Sequence, residues 1–398
     1  MKIYLIAGEP SGDRLGAALM AGLKALNGDI SFFGVGGPLM QAEGLDSLFP
    51  MDNLSVMGLA EVLPRLRSLL RLRDDAVADV LAQQPDVLIT IDSPDFCLRV
   101  ARKVKAAASA IKTVHYVAPT VWAWRPKRAA KMTKAIDHVL ALFPFEPPYM
   151  EAAGMGCDFV GHPVVAEPVA SEEEAEVFRV KHGLGENPII LILPGSRMGE
   201  VGRLAPIFGE ALRSVVKSIP KARPVIVAAG PVAARVRELV KGWPGQPFVV
   251  DPRGRSSERA QTEKRAAFRA ANLALAASGT VSLELAASGT PMVIAYDMNW
   301  LSRKMIKRML RVDTVTLVNL VSETRAVPEF LGDDCKPTEI AEALVALVTD
   351  AEARQAQTEA GELTMERLGR GAEAPGLRAA EAVLRVIGVE PTGVEPER

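Results

Sequence analysis

IYLIAGEPSGDRLGAALMAGLKAL, residues 3–26, contains the unit from which the rest of the chain is read. Ile3–Ala7 is a short apolar run, Gly8–Gly12 is a glycine- and proline-bearing turn, and Leu15–Leu26 carries apolar residues at helical spacing. Strand, tight turn and helix in that order make a βα unit. The second half restarts in the same way with IILILPGSRMGEVGRLAPIFGEALRSVV at 189–216. Further strand candidates are Ser31–Val35, Val87–Asp92, Thr113–Val117, His138–Leu142, Val225–Ala229, Phe248–Val250, Leu273–Ala276 and Met292–Tyr296. Helical patterning such as Arg99–Ala108 and Val201–Val216 lies between them. The alternation predicts an α/β chain of parallel sheets with right-handed crossovers: two Rossmann-like, doubly wound domains facing a cleft.

At about 150 residues per domain, 398 residues suit two or three domains. The stretch CDFVGHPVVAEPVAS at 157–171 interrupts the alternation with Gly161, Pro163 and Pro168. The expected division is 1–165, 166–370, and a C-terminal helix with a disordered tail at 371–398, the helix free to return to the N-terminal domain. Hydrophobic residues make up 48% of the chain, too many for whole-chain disorder. Lys and Arg number 47 against 48 Asp and Glu, which argues against a broad nucleic-acid binder. Three scattered cysteines (Cys97, Cys157, Cys335) give neither a disulfide framework nor metal spacing. The first apolar run is too short for a signal-peptide core, and no 18-residue uncharged apolar run exists. The expected location is cytosolic or peripheral to a membrane.

Five segments carry candidate chemistry. In AGEPSGD (7–13) the chain turns at Gly8 and Gly12, and Glu9 ends the strand where open α/β sheets bind ligands. Gly8, Ser11, Gly12 and Asp13 are then candidates for a sugar or anion at a helix start, the alternative being a plain turn capped by Ser11 or Asp13. In TIDSPDF (90–96), Asp92 stands at a strand end as a candidate general base, and Asp95 suits a cap or first helical turn. HYVAPTVWAWR (115–125) holds three of the eight Trp and Tyr residues, and five basic residues occupy 125–134. Trp122 and Arg125 there suit a sugar face and a phosphate, the alternative being an aromatic core beside a solvated basic helix. LPGSR (193–197) outlines a phosphate cradle of Gly195, Ser196 and the forked donor Arg197, and it is no Walker loop. ASGTVSLE (277–284) repeats that arrangement with Ser278, Gly279 and Thr280, and Glu284 is placed to accept from a ribose diol. The pair of loops favours a nucleotide diphosphate. The chain contains no Asp-x-Asp, which weakens a metal-bridged diphosphate mechanism.

Finally, VMGLAEVLPRLRSLLRLR (56–73) interleaves Leu63, Leu66, Leu69 and Leu70 with Arg65, Arg67, Arg71 and Arg73. A second stretch, 303–311, mixes Arg303, Lys304, Lys307, Arg308 and Arg311 with Met and Leu. Basic amphipathic helices can lie in a membrane interface, the alternative being core packing with solvated charges. His138 and His162 have no nucleophile pattern nearby and read as structural.

Taken together, AGEPSGD, GVGGPLM (34–40), MGLAEVL (57–63), IDSPDF, HYVAPTVWAWR, LFPFE (142–146), FVGHPV (159–164), LPGSR, ASGTVSLE, PMVIAY (291–296) and LVNL (317–320) resemble the lipid A disaccharide synthases, glycosyltransferases of the GT-B fold. Cys97, Asp297, Val318 and Gly332 depart from the family's usual residues, which are Asn, a basic residue, Pro and Gln. The resemblance implies an inverting transfer of diacylglucosamine from its uridine diphosphate ester to the 6-hydroxyl of diacylglucosamine 1-phosphate. It implies no metal or other cofactor, and an inner-membrane lipid surface as partner on the cytoplasmic side, with a homodimer as a further possibility. It adds Asn319 to the nucleotide-binding set, gives Asp92 and Glu9 the catalytic duties, and gives Leu63, Leu66, Leu69, Leu70, Arg67 and Arg71 to the membrane. The competing readings are a uridine-diphosphate-sugar 2-epimerase of the same two-domain build and a non-catalytic lipid- or nucleotide-binding module.

Overall fold

The structure, a computed structural model, describes residues 1–54, 59–123, 127–298, 303–304 and 312–391, with backbone alone at 59–65. The chain divides into two units, Met1–Ala166 with Leu368–Arg398, and Glu167–Arg367.

The first unit contains β1 (Lys2–Ala7), α1 (Pro10–Leu26), β2 (Ser31–Val35), α2 (Pro38–Ala42), β3 (Asp46–Ser47), α3 (Leu59–Gln83), β4 (Val87–Ile91) and α4 (Pro94–Ala107). It continues through β5 (Lys112–Tyr116), α5 (Lys127–Met132), β6 (His138–Ala141), α6 (Pro147–Glu151) and β7 (Gly156–Phe159). Its seven strands, all parallel, run in the order β3-β2-β1-β4-β5-β6-β7. The second unit contains α7 (Glu172–Lys181), β8 (Ile189–Leu193), α8 (Met198–Ser218), β9 (Arg223–Val227), α9 (Ala233–Leu239), β10 (Phe248–Val250) and α10 (Ser257–Ala270). There follow β11 (Leu273–Ala277), α11 (Val281–Ala287), β12 (Met292–Tyr296), α12 (Leu317–Ser322), β13 (Glu329–Leu331), α13 (Pro337–Thr349) and α14 (Ala351–Arg367). Its parallel sheet has the order β10-β9-β8-β11-β12-β13. The two sheets are α/β and Rossmann-like, as the alternation predicts.

Central strands are covered on both faces, so they lack in–out alternation. All five residues of β4 (VLITI) and of β8 (IILIL) are buried. Three strands escape the sequence reading. β3 has two residues, β13 has three, and β7 (GCDF) is half-exposed at the sheet edge with a turn-like composition. The interruption read from Cys157 therefore starts too early, because residues 157–159 pair with β6.

The last helix, α15 (Pro375–Ile387), belongs to the first unit and packs on α1. A Cβ on Gly22 would lie 2.6 Å from the Gly376 carbonyl, and one on Gly376 would lie 2.5 Å from that of Ala18. Glycine at both positions lets the two backbones touch. Residues 392–398 of the expected tail lie outside the described residues.

Two buried histidines give the first unit an acid-sensitive core. His115 Nδ1 is 2.8 Å from Thr90 Oγ1, and His162 Nδ1 accepts from the Val164 N–H at 3.1 Å. Burial pushes each imidazole down to about 4. The folded chain keeps them neutral while the unfolded chain protonates them near the ordinary imidazole value of 6.5. Their stabilisation is therefore whole above pH 6.5 and is lost as pH falls toward 4, roughly 3 kcal/mol for each histidine. Urea midpoints should fall steeply between pH 7 and pH 5; a flat profile would contradict this assignment.

Candidate functional site

In each sheet the strand order reverses once, between β1 and β4 in the first and between β8 and β11 in the second. Ligands of open α/β sheets bind outside the carboxyl ends of the strands at such reversals. Each reversal here gathers residues that the sequence singled out.

In the first unit, Glu9 follows β1 as the N-cap of α1 and Asp92 follows β4. The two turns touch: a Cβ on Gly8 would lie 2.6 Å from Ser93 Oγ. Asp92 and Ser93 both take left-handed backbone, with φ of +50° and +43°. On the neighbouring strand Val117 does the same at +83°, an outlier for a β-branched residue. Each such conformation costs about 1–3 kcal/mol and persists only where the surroundings enforce it. The enforcement is visible, since Asp92 N–H donates to Tyr116 O at 2.9 Å and Val117 N–H to Leu140 O at 3.0 Å. The strain bends the chain at the strand ends and leaves the Asp92 side chain half-exposed there. Ser93 is the N-cap residue of α4, and Asp95 lies in its first turn with a solvent-exposed side chain.

Several expected sugar-binding residues have structural duties instead. Asp13 is buried, and its carboxylate accepts from the N–H groups of Gly37, Leu39 and Met40 at 2.9–3.0 Å. It caps α2 from outside and ties the Gly36–Gly37 turn to α1. Gly12 is buried against Ala7 and Ile91, and Gly8 is buried against Ser93. Trp122 is buried too; its indole N–H donates to Glu146 Oε1 at 3.3 Å, and its ring meets Phe145 edge-on. That side chain is a wall of the domain, not an open sugar platform. Glu146 also accepts from Leu142 and Phe143 N–H, and burial still pushes its carboxyl up to about 8. Ser11 remains exposed in the first turn of α1. Trp124 and Arg125 lie outside the described residues.

In the second unit, the 193–197 and 277–281 loops line one cavity of about 850 Å³. Gly195, Ser196, Arg197, Ser278, Gly279, Thr280 and Glu284 all belong to its wall. Gly195 has φ of +107°, which turns the chain from β8 into α8. Glu284, in the first turn of α11, is ion-paired with Lys264. Arg197 is exposed and pairs with Glu200 at 3.1 Å. Arg255 and Lys264 of the same wall were not singled out in the sequence; nothing in the basic run of α10 marks a lysine that reaches Glu284.

Asn319 does not fit its expected place. It is buried in α12, where Nδ2 donates to Val327 O at 2.9 Å and to Thr314 Oγ1 at 3.4 Å, and Oδ1 accepts from Val327 N–H at 3.0 Å. All its polar atoms hold the chain leading to β13. The Asp297 departure is matched locally: buried Asp297 takes a two-pronged contact from Arg303, which also reaches Asp333 at 2.8 Å. The Arg303 guanidinium is therefore engaged within its own domain, while residues 305–311 lie outside the described set.

From Leu59 on, the basic apolar segment forms the first half of α3. Leu66 is 41% exposed, Arg67 and Arg71 are exposed, and Leu69 and Leu70 are half-buried. Further along, Ala76 and Val80 are fully buried and Asp79 accepts from Tyr4 Oη at 2.7 Å. The C-terminal half of the helix is anchored in the core, while Leu66, Arg67 and Arg71 point their exposed surface to solvent. Nothing is described of the side chain of Leu63. Among the described residues no helix is long and apolar enough to cross a membrane.

A family model described as lipid-A-disaccharide synthetase matches residues 3–376. A lipid-A-disaccharide synthase of Ruegeria pomeroyi is 62% identical over 384 residues, 96% of this chain and 95% of its own length. One from Rhodospirillum centenum is 46% identical, covering 97% and 94%. Among solved structures, a Neisseria meningitidis UDP-GlcNAc 2-epimerase bound to UDP-GlcNAc superposes with a TM-score of 0.61 at 12% identity, covering 97% of this chain and 99% of that one. An Anabaena protein in complex with UDP and glucose gives 0.59 at 13% identity, covering 98% and 99%. At such identities these two show a shared fold alone. The sequence matches decide the family, and this chain belongs to the lipid-A-disaccharide synthases.

Proposed function

We propose that this chain joins a uridine-diphosphate-activated 2,3-diacylglucosamine to the 6-hydroxyl of 2,3-diacylglucosamine 1-phosphate, giving a β-1,6 disaccharide and uridine diphosphate. The observation that carries the site assignment is the sorting of residue types between the two sheet reversals. Carboxylates (Glu9, Asp92) gather at the first, and a glycine-rich loop with Arg197 gathers at the second. A single displacement requires those two things. A base takes the proton as the acceptor oxygen bonds to the anomeric carbon, and positive groups stabilise the diphosphate that leaves with the bonding pair.

Asp92 is assigned as the base, with Glu9 beside it and Ser11 within the same turn. Gly195, Ser196, Arg197, Ser278, Gly279 and Thr280 are assigned to the diphosphate, and Glu284 to the ribose. Release of uridine diphosphate should depend on added acceptor lipid; release or isomerisation of the nucleotide sugar without acceptor would favour the epimerase reading instead. Binding without any release would favour the non-catalytic reading.

The same reading places the first half of α3 on the cytoplasmic leaflet of the inner membrane. Each buried methylene contributes about 0.8 kcal/mol and each basic residue near an anionic surface about 1 kcal/mol, so a few of each give reversible attachment. Changing Leu66, Leu69 and Leu70 together to serine should weaken sedimentation with anionic liposomes and leave uridine diphosphate affinity intact. Unfolding of the variant would assign those leucines to the core.

A further inference from the structure

Two N–H donors of the Gly195–Arg197 loop already have an anionic acceptor within the chain. Glu200 stands at the third position of α8, and its Oε2 accepts from the N–H groups of Ser196 at 3.2 Å and Arg197 at 3.3 Å. Oε1 accepts from Arg197 Nη1 at 3.1 Å and lies 3.4 Å from Tyr296 Oη. A Cβ on Gly195 would meet Glu200 Oε2 and Cβ at 2.8 Å, so the side chain lies flat against the loop. One carboxylate thus engages two backbone N–H groups and the guanidinium, the Ser196 and Arg197 donors among those assigned above to the diphosphate.

We propose that Glu200 is an internal competitor for the diphosphate. It acts as an affinity-setting residue that must yield its donors when uridine diphosphate binds and that retakes them when the product departs. This inference rests on the placement of the diphosphate at this loop. The physical ground is that a donor cannot give a full hydrogen bond to two anions at once, and two anions sharing one cradle repel. Binding then replaces one set of charge-assisted hydrogen bonds with another, so the net gain is smaller than the contacts made. The Tyr296 hydroxyl is a second donor that can hold the displaced carboxylate. An enzyme whose product carries the same diphosphate as its substrate gains from this, because the competitor speeds product release.

A glutamate at this helix position has an ordinary alternative role, closing a capping box on the N-cap N–H. The two roles predict opposite signs. A cap alone predicts that its loss loosens the loop and leaves uridine diphosphate affinity unchanged or weaker. A competitor predicts tighter binding.

The test is calorimetry of uridine diphosphate on the full chain and on Glu200→Gln, Glu200→Ala and Arg197→Ala, with thermal melts to establish that each is folded. Glu200→Gln keeps the shape and one acceptor oxygen and loses the charge; it should bind about tenfold tighter, and Glu200→Ala at least as tightly. Unchanged or weaker binding in folded Glu200→Gln, with Arg197→Ala still impaired, would overturn the competitor role and leave the diphosphate site standing. Unchanged binding in Arg197→Ala would remove the site itself, and this inference with it.

Discussion

Asp92→Asn should reduce disaccharide formation by about 10²–10⁴-fold, with uridine diphosphate affinity within about twofold of the unsubstituted chain. The side chain keeps its size and its place at the end of β4 but can no longer accept the proton that the acceptor hydroxyl must lose. Asparagine also tolerates left-handed backbone, so the φ of +50° at this position is not itself an obstacle to folding. The affinity control matters because Asp92 sits in the first unit, whereas the loops proposed for the diphosphate belong to the second. A combined loss of turnover and nucleotide affinity would mean a wider structural defect. Turnover close to that of the unsubstituted chain would shift the base assignment to Glu9, the other carboxylate at the same sheet reversal.

Arg197→Ala should weaken uridine diphosphate binding by about 10²-fold, less than two charge-assisted hydrogen bonds contribute in full, because the guanidinium gives up its Glu200 contact to make them. Arg197→Lys should fall between, because an ammonium keeps the charge but not the planar fork. The Arg197 side chain is 62% exposed and its recorded partner is Glu200, so the substitution leaves the buried core of the domain untouched. Calorimetry separates the cases directly. An affinity equal to that of the unsubstituted chain would reduce the loop to a turn between β8 and α8.

The βα alternation made the fold legible, because strands buried on both faces read as uninterrupted apolar runs. The strands it hid, β3, β7 and β13, are short edge elements whose pairing comes from the neighbouring strand and not from their own side chains. Candidates for the site were legible where a motif meets a strand end: Asp92, Glu9, Gly195, Arg197 and Ser278 all lie at carboxyl ends of strands. Misreadings came where a polar or aromatic residue satisfied a local need. Asp13 caps a second helix, Trp122 donates into a buried carboxylate, and Asn319 laces two chain segments together. Those partners are 5–27 residues away in sequence, and no spacing rule announces them. Glu200 was missed for the opposite reason, since a glutamate three residues after an N-cap is commonplace. Only its geometry around the Gly195 turn distinguishes it.

One displacement with Asp92 as base and no covalent sugar intermediate inverts the anomeric centre, so the configuration of the product reads it out. With an α-linked donor and diacylglucosamine 1-phosphate, proton NMR of the purified disaccharide should report a β-1,6 linkage. An α linkage would mean that the configuration is retained, which one in-line displacement cannot give, and would rule that displacement out.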